Sequence, residues 1–370
     1  MKIGFEAKRA FFNASGLGNY SRNIISALHQ YYPENDYFLF TPKYSEERFA
    51  MPEASIVMPG NGWKHFPALW RFMGMDTAIQ QHNIDIFHGL SNELPRGIEQ
   101  CEAKSVVTIH DLIFMRYPHW YKLHDRKIYR NKVKYACKVA DKIVAISQQT
   151  KEDLIHFLNV PEEKITVIYQ PAFIHFLQNE RNEELEMQTV LKYQLPEHYL
   201  LMVGNIEKRK NIANVIMAKV EGKIDTPLYI VGRENSYAEK LRSDVERLGI
   251  DDIYFLHQVS SKELAVFYRN ADMLIYPSYF EGFGLPVIEA LSCGIPVIAS
   301  TGSCLSETAG EGALYVNPDD TEEIAVAIRR LLNDKTLRQE LVQKGQQHIR
   351  QFEPEIIARQ IYELYQSLLK

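Results

Sequence analysis

The residues best suited to chemistry stand in one run, Tyr276-Pro277-Ser278-Tyr279-Phe280-Glu281-Gly282-Phe283-Gly284-Leu285-Pro286-Val287-Ile288-Glu289-Ala290. Strand-like residues end at Tyr276 and a loop with two glycines follows. Pro286 then stands where a helix accepts proline in its first turn, and Gly294 closes that helix. Such a stretch aims the amides of residues 282–285 at the carboxyl end of a sheet. That is an anion site, on the edge where open α/β sheets bind ligands. Glu281 in the loop and Glu289 on the helix suit sugar hydroxyls, because an ionised acceptor makes the stronger hydrogen bond.

Three other stretches fall at strand ends. Val203-Gly204-Asn205-Ile206-Glu207-Lys208-Arg209-Lys210-Asn211 brings three consecutive cations to a sheet edge, where they neutralise a departing diphosphate or simply face solvent. Ala14-Ser15-Gly16-Leu17-Gly18-Asn19-Tyr20-Ser21 is half of a dinucleotide fingerprint. Ser21 replaces its third glycine and no acid ends Tyr37–Thr41, so NAD is not expected, but the turn still lets backbone amides approach a ligand. Thr108-Ile109-His110-Asp111-Leu112 ends an apolar strand. His110 there either donates to a substrate hydroxyl or phosphate or is satisfied within the fold, and the second reading is preferred for His88. The sequence has no Asp-x-Asp, no H-E-x-x-H, no G-x-x-x-x-G-K-S/T and no G-x-S-x-G. Any diphosphate is therefore expected to be neutralised by protein cations and helix amides, with no metal.

The elements that must hold these residues alternate. Ile3–Ala7, Tyr37–Thr41, Ile84–His88, Ser105–His110 and Lys142–Ile146 read as strands, as do Tyr199–Val203, Pro227–Val231, Ile253–Leu256, Met273–Tyr276 and Pro296–Ala299. Helical spacing runs through Gly18–Tyr32, Pro67–His82, Asp125–Ala140, Ser236–Leu248, Ser260–Asn270, Pro286–Cys293 and Thr321–Asn333. The alternation predicts parallel sheets covered by helices on both faces. At ~150 residues per domain, 370 residues suggest two such domains. A polar run from Asn179 to Glu186 marks the boundary, giving a domain over 1–178, a linker over 179–197 and a second domain over 198–350. Residues 351–370 form a last helix with Ile356, Ile357, Ile361, Leu364, Tyr365 and Leu368 on one face.

With 46% hydrophobic and 24% charged residues the chain reads as globular, and 42 basic against 47 acidic residues point away from nucleic acid. Cys101, Cys137, Cys293 and Cys304 are scattered without a C-x-x-C pair, as expected of reduced thiols in the cytoplasm. Met1–Arg9 lacks the apolar run of a leader, and no apolar stretch reaches the ~18 residues of a membrane span. Between Arg116 and Lys151, ten Lys and Arg face two Asp, either as a solvated face or as an attachment to anionic lipid at the inner face of the membrane.

Taken in order, Gly16-x-Gly18-x-Tyr20, His110-Asp111, Gly204 with Arg209-Lys210-Asn211, and Glu281-Gly282-Phe283-Gly284-Leu285-Pro286 with Glu289 resemble the family-4 glycosyltransferases. These are retaining enzymes of the GT-B fold with two glutamates separated by seven residues. The resemblance implies an α/β chain of two Rossmann-like, doubly wound parallel-sheet domains facing one another across a cleft, the first on the acceptor side and the second holding the nucleotide sugar, with the last helix packed back on the first. It implies that Glu289 binds ribose hydroxyls and Glu281 the hydroxyls of the transferred sugar. Phe283, Gly284 and Leu285 would offer amides, Arg209 and Lys210 would hold the diphosphate beside Gly204, Gly16 would meet the diphosphate through its backbone, and His110 the sugar. The base would sit near Val259, in His257-Gln258-Val259. Asn205 departs from the arginine common at its position, which leaves more of the phosphate charge to Arg209 and Lys210. The expected activity is a metal-independent, retaining transfer of a hexose from a nucleotide sugar, GDP-mannose first, with UDP-glucose or a UDP-N-acetylhexosamine close behind. The expected acceptor is a saccharide or lipid-linked saccharide of a surface polysaccharide or glycolipid. A GT-B-fold epimerase, a phosphorylase and a silent nucleotide-sugar-binding protein are the alternatives.

Overall fold

The computed structural model describes residues 1–13, 16–60, 62–172 and 182–370. It comprises two compact units, one of Met1–Pro171 with Phe352–Lys370, the other of Ala172–Gln351.

The first unit is built on β1 (Lys2–Glu6), β2 (Asp36–Phe40), β3 (Ser55–Val57), β4 (Ile86–Gly89), β5 (Lys104–Ile109), β6 (Lys142–Ala145) and β7 (Ile165–Val167). All pair in parallel, in the order β3-β2-β1-β4-β5-β6-β7. Buried runs such as Ser105–Ile109 suit a strand covered on both faces, where alternation would expose apolar side chains to nothing but more protein. The short edge strands β3 and β7 escape sequence reading because three residues carry no period. The helix Gly16–Tyr31 turns Tyr20, Ile24, Ile25, Ala27 and Leu28 inward. The last helix, Pro354–Leu369, packs against it with Ile357, Ala358, Ile361, Leu364 and Tyr365 buried. Tyr362 stacks on Tyr32 at 3.8 Å between ring centroids. Each buried Ile or Leu contributes roughly 1.5–3 kcal/mol over leaving it exposed, enough to hold a 16-residue helix in place.

The second unit holds β8 (Leu200–Val203), β9 (Leu228–Val231), β10 (Ile253–Leu256), β11 (Met273–Tyr276), β12 (Val297–Ser300) and β13 (Ala313–Val316). These are also parallel, ordered β10-β9-β8-β11-β12-β13. The chain winds one way from β8 and then the other, so the order reverses between β8 and β11. Neighbouring crossovers leave in opposite directions there and a crevice opens at the carboxyl ends.

Two expectations need correction. The helix read over Pro67–His82 is two helices, Pro67–Met73 and Met75–Gln81, broken at Gly74. The Trp63 ring lies 2.7 Å from where a Cβ of residue 74 would stand, so no side chain fits. Within the linker read over 179–197, residues Glu183–Tyr193 form a helix of the second unit, capped by Asn182 and tied by Glu186 to Arg269 at 2.7 Å. Glu183, Glu184 and Glu186, part of the polar run read as the boundary, complement the helix amino terminus. Residues 179–181 lie outside the described residues.

A buried polar chain joins the last helix to the first sheet. His88 Nδ1 lies 2.6 Å from the Tyr365 hydroxyl, His88 Nε2 lies 2.8 Å from Thr108 Oγ1, and Thr108 lies 3.0 Å from the Tyr20 hydroxyl. Burial pushes His88 down to about 3, so the ring is neutral and structural, the reading preferred for it. Tyr365→Phe leaves a buried ring nitrogen without a partner and is expected to cost about 1–3 kcal/mol. Denaturant unfolding checks this; a midpoint equal to wild type would show that the hydroxyl contributes nothing.

Candidate active site

The reversal between β8 and β11 gathers the second unit's reactive residues. After β8 the chain passes Gly204, whose φ of +135° favours glycine and whose absent side chain leaves room for Lys210. A Cβ there would lie 3.2 Å from Lys210 Cε. The turn Lys208–Lys210 then folds back over the sheet edge. After β11 the chain enters the loop that carries Glu281. Arg209 Nη1 reaches Glu281 Oε2 at 2.6 Å, and Lys210 Nζ reaches Oε1 at 2.7 Å. Arg209 also donates to the Phe280 carbonyl at 2.9 Å, while the Arg209 carbonyl accepts from the Tyr279 amide at 2.9 Å. The two loops are thus stitched by backbone as well as charge. Lys210 further contacts the Tyr276 hydroxyl and lies 4.4 Å from the centre of that ring.

Burial alone would raise the Glu281 carboxyl, but Arg209 and Lys210 outweigh it and hold it down at about 2. Burial draws Lys210 below the ordinary lysine value, with Glu281 opposing and Arg209 adding to it. Arg209 is also paired with Glu207 at 3.3 Å, so the two cations face two carboxylates, and a diphosphate must compete with these for them.

The glycine loop is aimed from behind. The Phe283 carbonyl accepts from Thr308 Oγ1 at 2.5 Å and lies 2.9 Å from Cys304 Sγ, which is also 3.2 Å from the Glu281 carbonyl. In a trans peptide the following N–H points the other way, so the amides of Gly282 and Gly284 face away from Cys304 and Thr308. Gly284, at φ +108°, caps the helix Leu285–Ser292 with Pro286 in its first turn. A Cβ at 284 would lie 2.8 Å from Leu305 Cδ2. Glu289, on that helix, accepts from the Tyr268 hydroxyl at 2.8 Å. Burial raises Glu289 to about 7, with Tyr268 and Lys210 holding it back.

The residues expected on this sheet edge are therefore largely together: Gly204, Arg209, Lys210, Glu281, Phe283, Gly284, Leu285 and Glu289. Val259 stands apart, on the loop after the edge strand β10, with β9 between that strand and β8. Sequence reading missed Tyr268, Cys304 and Thr308, which lie on other helices or helix starts and act by position; no local spacing announces them.

In the first unit, Gly16 and Gly18 stand in the first turn of the helix Gly16–Tyr31 rather than in a turn before it. Ala14 and Ser15 of that motif lie outside the described residues. Gly16 is exposed, with nothing within 4 Å of a Cβ, whereas a Cβ at Gly18 would lie 1.9 Å from the Asn13 carbonyl oxygen. His110 is buried, driven by burial down to about 4, and its Nε2 lies 2.9 Å from the Leu90 carbonyl. The single ring proton therefore sits on Nε2 and is committed to Leu90. At a ligand His110 can accept through Nδ1, not donate, which corrects the donor role read for it.

Removing the Tyr268 hydroxyl takes away a bond that favours the charged carboxylate. Tyr268→Phe is expected to raise the Glu289 pKa further above 7. Carboxyl-carbon NMR titration checks this, and an unchanged midpoint would remove Tyr268 from the site.

Residues 186–348 match the family described as Glycosyl transferases group 1, and residues 14–172 that described as Glycosyltransferase Family 4. The chain is 29% identical over 298 residues to O-antigen chain mannosyltransferase B of Escherichia coli, covering 79% of this chain and 76% of that one. It is 35% identical over 227 residues to O-antigen chain mannosyltransferase RfbU of Salmonella typhimurium, covering 61% of this chain and 60% of that relative's length. In fold it is similar to sucrose-phosphate synthase from Thermosynechococcus elongatus, with a TM-score of 0.78 at 22% identity over 100% of this chain and 99% of that one. With one unit matched to each description and both folded as doubly wound parallel sheets, the chain belongs to the group 1, family-4 glycosyltransferases of the GT-B fold.

Proposed function

We propose that this glycosyltransferase is a retaining, metal-independent mannosyltransferase that moves mannose from GDP-mannose to a saccharide hydroxyl in surface polysaccharide or glycolipid synthesis. The names of the O-antigen relatives support the sugar and the product class. The reaction type is carried by one observation, the meeting of Arg209, Lys210 and Glu281 at the strand reversal of the second unit.

Breaking the bond between the anomeric carbon and the diphosphate leaves positive charge on carbon and negative charge on the departing oxygen. Arg209 and Lys210 are already fixed where that negative charge develops, so they stabilise it without reorganising. They supply the charge for which a divalent ion is recruited elsewhere. In the free protein Glu281 occupies both cations. A diphosphate competes for them with more charge, and Glu281 then accepts from hydroxyls of the transferred sugar. Glu289 accepts from ribose hydroxyls. No carboxylate serves as a nucleophile in this scheme. The acceptor oxygen bonds to the anomeric carbon on the face that the phosphate leaves, and its proton passes to the departing phosphate oxygen, which retains configuration.

The acceptor is a saccharide, free or lipid-linked. Among the described residues no helix is long and apolar enough to cross a membrane. The helix Leu123–Val139 exposes Lys127, Arg130, Lys134 and Lys138, with Leu123 73% exposed at its start. That face supports peripheral contact, within residues 116–151, with anionic headgroups at the cytoplasmic side of a membrane.

Lys210→Ala and Glu281→Ala are each expected to lower turnover by about two orders of magnitude, while wild type keeps its rate in EDTA. Near-wild-type turnover in either variant, or loss in EDTA restored by a divalent ion, would overturn the mechanism. Glu289 titrates at about 7 and accepts hydroxyls best when ionised. GDP-mannose affinity, measured by calorimetry, is therefore expected to weaken as pH falls from about 8 to about 6, and Glu289→Gln to flatten the profile. A wild-type profile already flat would place the ribose contact elsewhere.

A further inference from the structure

In the proposed transfer Glu281 yields its cations to the diphosphate, so other groups must keep those cations in place afterwards. Arg209 retains the Phe280 carbonyl at 2.9 Å and Glu207 at 3.3 Å. Lys210 has less. Among the described residues its side chain is bonded to Glu281 and to the Tyr276 hydroxyl, and to no other group. A lysine ammonium is a point charge on a flexible four-carbon stem, without the rigid fork of an arginine. Once Glu281 turns to the sugar, Tyr276 is the side chain that still holds it.

The fold prepares that hold. Tyr276 is the last residue of β11, which pairs with β8, and is only 2% exposed. It shares a space of about 10 Å³ with Gly204, Lys210, Ile212 and Ile230, room for one water at most. Solvent therefore cannot take over the ammonium on that side. The lysine stem passes Gly204, where a Cβ would come within 3.3 Å of Nζ. Its head meets the Tyr276 hydroxyl and lies 4.4 Å from the ring centre. Burial raises the phenol well above its ordinary value, so it stays protonated. Tyr276 is thus an uncharged acceptor: it fixes the ammonium yet leaves its positive charge uncompensated, which a carboxylate in the same place would not.

We propose that Tyr276 is a positioning residue for Lys210, its hydroxyl accepting from the ammonium and keeping it at the crevice while Glu281 changes partner. The inference rests on the transfer proposed above, in which Lys210 faces the diphosphate. A hydrogen bond made to the charged form favours that form. The other charged groups facing Lys210 are Glu281 and Glu207, which favour the ammonium, and Arg209, which opposes it together with burial. Lys210 in turn helps to hold Glu289 down. Tyr276→Phe alters none of these and keeps the ring, so what it moves belongs to the hydroxyl.

The full chain is used for two measurements. In the free protein the Lys210 ammonium, identified by its loss in Lys210→Ala, is titrated by lysine side-chain NMR. Tyr276→Phe is expected to lower its midpoint by about one pH unit. With GDP-mannose and a methyl mannoside, Tyr276→Phe is expected to lower kcat about tenfold while the KM for GDP-mannose stays within about twofold. The alkaline fall of kcat moves to lower pH in the same variant. In the Lys210→Ala background the tyrosine change is expected to cost nothing further. The proposal is overturned by an unmoved Lys210 midpoint, by an unchanged kcat in Tyr276→Phe where Lys210→Ala loses turnover, or by a tenfold loss that persists without Lys210. Near-wild-type turnover of Lys210→Ala defeats the transfer mechanism and the positioning role together. Absence of turnover by wild type counts against GDP-mannose as donor, and the NMR midpoint then decides for Tyr276.

Discussion

A carboxylate and two cations, all three largely buried, set the terms for the second unit. Glu281 lies within 2.7 Å of both Arg209 and Lys210, and neither half of that contact is tolerable alone. An unpaired charge at such depth costs about 3–5 kcal/mol when its partner is removed, whereas an apolar replacement of the whole set often costs nothing. The cluster is thus poor evidence of design for stability. It is better understood as charge stored in a dry place, kept available by a carboxylate that a more highly charged ligand can displace.

Everything around it serves to keep that charge still. The bond from the Tyr279 amide to the Arg209 carbonyl and that from the Arg209 guanidinium to the Phe280 carbonyl tie the two loops together, and Cys304 and Thr308 pin the carbonyl side of the glycine loop. Preorganisation of this kind matters because groups that must turn toward a developing charge spend the energy they would otherwise deliver. Glu289 is the contrasting carboxylate. Eight positions along the chain from Glu281, it has a tyrosine hydroxyl for company and a more distant lysine charge, and it titrates near neutrality. One motif thereby holds two carboxylates in opposite electrostatic states, the separation that assigns distinct roles to like side chains.

The first unit answers with neutral machinery. His110 and His88 are both buried and unprotonated, and a chain of hydroxyls and ring nitrogens runs from Tyr365 through His88 and Thr108 to Tyr20, whose ring meets His110 edge-on at 4.7 Å. The carboxy-terminal helix is therefore part of what holds the sheet edge, although its residues are the last in the chain.

What the amino-acid sequence determined by itself was whatever depends on near neighbours. Buried runs such as Leu274–Tyr276 announce parallel strands, and Gly284 followed by Pro286 announces a helix start. Backbone propensity and apolar period act over a few residues, which is why these elements are legible, while Glu281 and Glu289 stand out through the family resemblance. Tertiary structure decided the rest. Whether Lys210 faces solvent or Glu281 depends on strands 70 residues apart lying side by side. Whether His110 donates or accepts depends on the Leu90 carbonyl, and whether Glu289 is charged depends on its burial, opposed by Tyr268. The acids at 183–186, read as part of a polar linker, are a helix start because Asn182 caps them and Arg269 on another helix pairs with Glu186. Protonation and partnership are set by desolvation and by groups brought from afar, and neither has a signature in local spacing.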